Sequence, residues 1–456
     1  MKRQPWLIFG ALAAGLLAFY LSGLAAVPFH PDESSQISMS GDFAKLVLQP
    51  DWAALAWTPS QPRTPEVQLR LLDAPMMRYF IGLSGWLHGF TSSDLNTDWV
   101  WWLSWDQNVA AGHLPRPELL LASRVPAAVL TALAAALAFW IVQRLRGLGA
   151  GLAAALLLGL NPLVLLHGRR AMAEGALLFF SLLALWGMIR LAWAAGEPRG
   201  TAPRLGLLAL GVGALVGLAV SSKQSALGLL PGAAAAVALP LLRPSFPRPL
   251  RLRVSLLVLA CLALGLGCGL VFWALNPVLY RDPVGSGQAM IAARADMLRQ
   301  QTIAQAGYLP ETVMPDVVSR LRAALMEVYF RPPAVWDVPV YLEHLSPQAE
   351  AYFAQPWIRL GTGPVWGAVL ALLGAVGLAS SARRLWRDRL GPATRAEQTL
   401  WWWALAALGM VLLITPFDWQ RYFILLVPPA CIFAALGLEA LARPVARLIL
   451  VRKTQN

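Results

Sequence analysis

Trp6-Leu7-Ile8-Phe9 opens an apolar run that reaches Val27 without a charge, and Pro28-Phe29-His30-Pro31-Asp32-Glu33-Ser34 follows it directly. About 20 apolar residues suffice to cross the hydrocarbon of a bilayer. Lys2 and Arg3 precede the run, it is long for a signal-peptide core, and no Ala-x-Ala cleavage site follows it. It is expected to remain as a first membrane helix over 5–27 that delivers adjacent carboxylates to the far membrane surface. A second acidic stretch, Leu72-Asp73-Ala74-Pro75-Met76-Met77-Arg78-Tyr79, lies in the same loop.

Composition extends the reading to the whole chain. With 57% hydrophobic residues, 13% charged residues and a mean hydropathy of +0.57 over 456 residues, a soluble globule is excluded. Further apolar runs near 119–143, 149–167, 172–193, 205–222, 224–242, 254–275, 361–382, 399–416 and 420–441 predict an all-α polytopic membrane protein of about ten transmembrane helices. Two long loops, 28–118 and 276–360, separate them and carry short interfacial helices. The division that follows is 1–275 as an N-terminal membrane module, 276–360 as a loop over the site, and 361–456 as C-terminal membrane helices.

Threading the spans alternately gathers Lys2-Arg3, Arg144 to Arg146, Arg199, Arg243 to Arg253, Arg383 to Arg395 and Arg443 to Lys453 on one face, with only Glu197, Asp388, Glu397 and Glu439 as acids. Excess base in short loops marks the cytoplasmic side. The formal net charge of +13 is therefore a topology signal and not a nucleic-acid patch. Both termini are expected in the cytoplasm and both long loops outside, in an inner (plasma) membrane. Cys261, Cys268 and Cys431 lie in apolar runs as small core residues, with no disulfide framework. Pro75 to Phe90 is too short and interrupted for a span and reads as an interfacial helix. Trp99, Trp101, Trp102 and Trp105 read as headgroup-level anchors, with a sugar-stacking platform as the alternative.

Charges beside the spans are costly, so their positions carry information. Arg169, Arg170 and Glu174, then Lys223, then Arg421 and Tyr422 all fall on the side of Asp32 and Asp73. Cations there suit a phosphate leaving group, and carboxylates suit removal of a hydroxyl proton. The plainer reading makes them snorkelling anchors or ion pairs, such as Arg170 with Glu174 at i, i+4.

Asp32-Glu33 after the first span, Asp73-Ala74-Pro75, Arg169-Arg170-Ala171-Met172-Ala173-Glu174 and Arg421-Tyr422 before the last helix together resemble the GT-C superfamily of lipid-phosphate-dependent glycosyltransferases. Within it they are similar to the protein O-mannosyltransferases and lipid A aminoarabinose transferases, the family 39-like enzymes. The likeness covers roughly 1–225 and the last two helices. It implies a GT-C fold and transfer of a sugar from a polyprenyl-phosphate donor to a hydroxyl of a protein, lipid or glycan, with inversion. It implies Asp32 as base, Asp73 as second carboxylate and Glu33 in support of Asp32. Arg169, Arg170, Lys223 and Arg421 then hold the donor phosphate, with His30, Glu174 and Tyr422 supporting. A divalent cation on Asp32, Asp73 and His30 is left open. A transporter or flippase of an envelope precursor is the alternative, against which stand the missing internal repeat and two long loops on one side.

Overall fold

The computed structural model describes residues 4–197, 201–243, 246–360, 363–387 and 391–455. Lys2, Arg3, Arg199, Asp388 and Arg389, which enter the charge bias above, lie outside them. Among the described residues nine helices are long and apolar enough to cross a membrane, and this is a multi-pass membrane protein of all-α architecture. Numbering the helices used below in chain order, α1 spans Gln4–Ser22, α2 Pro31–Ser38, α3 Pro65–Leu72, α4 Met76–Leu87 and α5 Pro117–Arg146. Next come α6 Leu148–Gly159, α7 Pro162–His167, α8 Glu174–Ala195, α9 Ala202–Ser222, α10 Leu229–Leu242 and α11 Leu250–Leu275. The chain continues with α12 Pro283–Tyr308, α13 Leu342–Phe353, α14 Pro364–Arg387, α15 Pro392–Ile414 and α16 Val427–Gln455.

The expected span over 149–167 is not one helix. It breaks at Asn161-Pro162 into α6 and α7, because proline cannot donate to the preceding turn, and Asn161 Oδ1 instead accepts from the N–H groups of Leu163 and Val164 at 3.0 and 3.2 Å. The short helix expected between Pro75 and Phe90 is α4, 12 residues long. Its buried face includes Met77, Tyr79 and Ile81, and Ser84 donates to Ala122 O of α5 at 2.7 Å. Cys261 is exposed, contrary to the core reading, whereas Cys268 and Cys431 are buried.

Lipid gives helices no hydrophobic reason to associate, so small residues that admit close packing decide where they touch. α9 and α11 cross at Gly213, Gly217 and Gly267. A Cβ at Gly213 would strike the Leu264 carbonyl, and one at Gly267 the Leu210 carbonyl. The opposite flank of α11 leaves Leu252, Val258, Leu262 and Leu266 exposed, as a lipid-facing side chain should be. α14 and α16 meet the same way, through Gly377 and Gly437.

At one end of the bundle Arg146 of α5 donates to both carboxylate oxygens of Glu397 at 2.8 and 3.1 Å, and Ser381 and Arg384 of α14 add 3.0 and 3.1 Å contacts to the same group. This buried knot fixes α5, α14 and α15 together. At the other end the spans stop at the loops that carry the acidic motifs. Over that end lies α12, and an isolated antiparallel bridge between Val313 and Phe417 ties the second long loop to the segment before α16.

Gly213→Ala should lower stability by about 1–3 kcal/mol, the usual cost of overpacking, whereas Gly211→Ala, where a Cβ meets nothing within 4 Å, should cost nothing. Thermal unfolding midpoints in detergent test the pair; equal midpoints would contradict the close crossing of α9 and α11.

Candidate active site

Asp32 and Asp73 are held by two different devices. Asp32 stands in the first turn of α2, where His30 caps the helix: its Nδ1 accepts from Asp32 N–H at 3.1 Å, and Glu33 Oε2 accepts from His30 N–H at 3.0 Å. Reciprocal capping fixes the direction of the chain entering the helix. Asp73 sits between α3 and α4. Asp42 clamps both helices, taking Arg70 at 2.7 and 3.0 Å and Arg78 at 3.2 Å, while Arg78 also donates to Asp73 O at 2.7 Å.

Both carboxylates line one cavity of about 500 Å³. Its wall comprises Asp32, Ser35 and Gln36 of α2, Asp73, the Asp98 to Trp101 loop, Glu174, Lys223, the α12 face of Arg294, Met297, Gln301 and Gln305, then Asp337, Arg421 and Tyr422. Residues 294, 297, 301 and 305 recur at helical spacing, which turns one side of α12 into the roof.

Charge in the cavity is mostly paired. Arg421 bridges two carboxylates, contacting Asp32 through Nη1 and Asp337 through Nε at 2.7 Å. His30 Nε2 faces Asp337 at 3.4 Å. Lys223, the C-cap of α9, pairs with Glu174 at 2.8 Å and lies 5.3 Å from the Tyr422 ring centre. Burial would raise the Asp32 carboxyl, but Arg421 and His30 outweigh it and hold the group below the usual carboxylate range. Asp73 has no ion-pair partner among the described residues, and burial pushes its carboxyl up against the pull of Arg78 and Arg294. Arg294 makes no ion pair with a carboxylate among the described residues either, so it is the cavity cation with charge to spare.

Several sequence candidates do not reach the cavity. Glu33 is fully buried and takes Arg124 of α5 through two bonds of 2.7 Å, plus Ala171 N–H at 2.9 Å. Arg169 donates to Tyr20 O at 3.2 Å and Phe19 O at 2.6 Å, the open carbonyls at the C-terminal end of α1, where a cation is favoured by the helix dipole. Arg170 does not pair with Glu174. It donates to Pro28 O at 3.2 Å and to Val335 O at 2.7 Å, joining the first loop to the second. Each keeps its Nη1 without a partner among the described residues, but neither lines the cavity, so Arg169 and Arg170 position the site rather than line it.

For a metal, His30 is poorly placed. Its Nδ1 is occupied by a backbone N–H and its other nitrogen turns to Asp337. Among the described residues no three His, Cys, Asp or Glu side chains converge as an ion site requires.

Asp337, Arg294 and Asp98 were missed by sequence reasoning as site residues. Asp337 lies in Pro332-Pro333-Ala334-Val335-Trp336-Asp337, a proline-rich turn far along the chain from Asp32. Arg294 belongs to a helix with no strong apolar stripe to orient it. Of the four tryptophans, Trp99 is buried, Trp102 is 87% exposed, and Trp101 lines the cavity.

Removing the Glu33 charge should leave Arg124 buried and uncompensated. Glu33→Gln is expected to destabilise the protein by about 3–5 kcal/mol, read as a large drop in unfolding midpoint. A variant of unchanged midpoint would show that the pair is not what anchors α2 to α5.

The family model described as dolichyl-phosphate-mannose-protein mannosyltransferase matches residues 69–266, under half of the chain. No curated protein matches the chain by sequence. The fold is similar to that of the archaeal oligosaccharyltransferase AglB from Archaeoglobus fulgidus, solved with an inhibitory peptide and a dolichol-phosphate, at TM-score 0.50 and 14% identity over 97% of this chain and 52% of that one. It is similar also to ArnT from Cupriavidus metallidurans bound to undecaprenyl phosphate, at TM-score 0.51 and 12% identity over 96% of this chain and 60% of that one. The chain thus spans between half and two thirds of the length of these solved chains. The resemblance to the GT-C glycosyltransferases read from the sequence is borne out by that family model over residues 69–266 and by the fold over nearly the whole chain.

Proposed function

We propose that this protein is a GT-C glycosyltransferase that moves one sugar from a polyprenyl-phosphate donor to a hydroxyl acceptor at the extracytoplasmic surface of the membrane. The observation that carries the reading is the single cavity at one end of the bundle in which Asp32, Asp73, Lys223, Arg294 and Arg421 meet. The solved chains of like fold hold dolichol-phosphate and undecaprenyl phosphate, which supports a donor of that kind here. The charge bias of the loops supports an outward-facing cavity and cytoplasmic termini. A transporter is not favoured, since both the family model and the fold are those of glycosyltransferases.

The chemistry divides among the residues as their partners dictate. Arg294 and Lys223 receive the donor phosphate, and Arg421 is drawn toward it from Asp32. Asp32 thereby loses the cation that depresses its basicity at the moment the donor is bound. The acceptor oxygen attacks the anomeric carbon from the face opposite the phosphate, the carbon–oxygen bond to phosphate breaks with its electron pair, and the hydroxyl proton passes to Asp32. The departing phosphate charge is held by the same cations. Asp73, unpaired and with a raised carboxyl, orients the acceptor hydroxyl.

Labelled sugar offered on synthetic polyprenyl phosphates to purified protein should reach an acceptor, and Asp32→Asn should remove at least two decades of rate, consistent with loss of a general base. Transfer undiminished in a folded Asp32→Asn protein would refute the base assignment. Arg294→Gln should raise the donor KM about tenfold or more, as expected for loss of a charged contact, while Arg169→Gln should lower stability and leave that KM in place. The ionised form of Asp32 is the active one, so the rate rises with pH through its pKa. In the free protein that pKa lies below the usual value of about 3.9, whereas in the donor complex Arg421 is shared with phosphate. The acid limb of kcat should therefore lie at higher pH than that of kcat/KM; coincident limbs would rule out the sharing.

A further inference from the structure

We propose that Trp101 and Asp98, with Gln36 and Gln301, form the acceptor subsite of the cavity and that it takes a sugar ring, so that the acceptor hydroxyl belongs to a saccharide and not to a peptide. The inference rests on the transferase reading above and names its acceptor class.

Three oxygens of the cavity wall, Asp98 Oδ1, Gln36 Oε1 and Gln301 Oε1, are buried and have no hydrogen-bond partner. Each is an acceptor, and a buried acceptor left empty costs about 1–3 kcal/mol. A ligand that satisfies three of them must present several donors close together, which a polyol ring does and an extended peptide, with alternating donors and acceptors, does not. The aromatic component is beside them. Trp99 is enclosed by Phe29, Trp105 and Tyr341, with ring centres 5.6, 5.4 and 5.4 Å away, and His344 stacks on Trp105 at 5.0 Å. Trp101 touches that cluster only through Tyr341, with ring centres 6.4 Å apart, and it lines the cavity with 42% of its surface exposed.

The loop that carries Asp98 and Trp101 is fastened in place without regular structure. Asn108, fully buried, accepts from Val100 N–H at 3.0 Å and donates to Val100 O and Ser104 O, each at 3.0 Å. Asn96 donates to Ser34 Oγ at 2.8 Å, and Tyr341 Oη lies 3.0 Å from Trp101 O and 2.9 Å from Leu103 O as their donor. The indole is thus presented at low entropic cost, as a stacking surface should be. Asp98 lines the cavity near Asp32, with Ser35 beside it. This puts the subsite beside Asp32, where the attacking hydroxyl must enter.

The test uses full-length protein in nanodiscs with a labelled polyprenyl-phosphate sugar and two acceptor sets, p-nitrophenyl hexosides and Ser/Thr-containing peptides. Transfer should go to hexosides. Trp101→Ala and Asp98→Asn should raise the hexoside KM at least tenfold while the donor KM moves less than twofold, and Trp101→Phe should recover most of the loss. Saturation-transfer NMR of the hexosides, without donor, should lose its signal in Trp101→Ala and keep it in Trp102→Ala. Transfer to peptides but not hexosides would overturn the acceptor class. Equal rises in donor and hexoside KM would give the subsite to the donor sugar and overturn the assignment. No donor turnover alongside intact hexoside binding would sink the transferase reading and, with it, the name acceptor.

Discussion

The buried pair of Glu33 and Arg124 is the contact on which the geometry of the site depends. Arg124 reaches from α5 to both oxygens of Glu33 and also donates to Leu24 O and Val27 O at 2.8 and 2.9 Å, filling carbonyls left open where α1 ends. Glu33 in turn accepts from His30 N–H and Ala171 N–H. One ion pair therefore joins the end of α1, the start of α2, the middle of the bundle and the turn before α8. Away from water neither charge is tolerable without the other, which leaves the first loop a single register. Asp32, one residue earlier, inherits that precision and is turned the other way, into the cavity.

Arg421 performs the comparable task for the second loop. Bound to Asp32 and Asp337, it brings together three segments far apart in the chain at the entry to α16. Two carboxylates on one guanidinium leave the group net negative, and His30 Nε2 stands beside Asp337. Such an arrangement is stable without ligand and yet exchangeable, because a phosphate can take the place of either carboxylate on the same planar fork. A rigid first loop and an exchangeable second one give the cavity a fixed base and an adjustable wall.

The fold was legible because bilayer thickness converts composition into helix count. Long apolar runs such as 119–143, where Arg124 is the one charge, and 254–275, which has none, have no alternative in lipid. The run 149–167 misled only in continuity, since a hydropathy window does not weigh the break that Asn161-Pro162 introduces. The site was half legible. Asp32, Asp73, Lys223 and Arg421 line the cavity as the motifs implied, but Glu33, Arg169 and Arg170 do not, and sequence spacing carries no information about which carbonyls a guanidinium will find. Asp337 and Arg294 were out of reach for a related reason: their relation to Asp32 exists only once α12 folds over the bundle end and the proline-rich turn returns beneath it.

What separates the arginines of this surface is the identity of the partner, and the separation follows from physics. Arg124 and Arg170 are buried beyond the reach of water, and the donors they engage are met by fixed acceptors, the Glu33 carboxylate and backbone carbonyls for Arg124 and the Pro28 and Val335 carbonyls for Arg170. Such residues are structural whatever motif contains them. Arg294 and Lys223 remain partly accessible and face a cavity, so an incomplete set of partners costs them little. Incomplete pairing in a wet cavity at the end of a membrane bundle is the condition for binding an anion whose other half is lipid: the head finds charge at the surface while the tail stays among helices that were hydrophobic for their own reasons. In the transfer proposed above, a lipid-linked donor needs no nucleotide-binding fold, because the membrane itself supplies most of the binding surface and the polar cavity has only phosphate, sugar and acceptor to recognise.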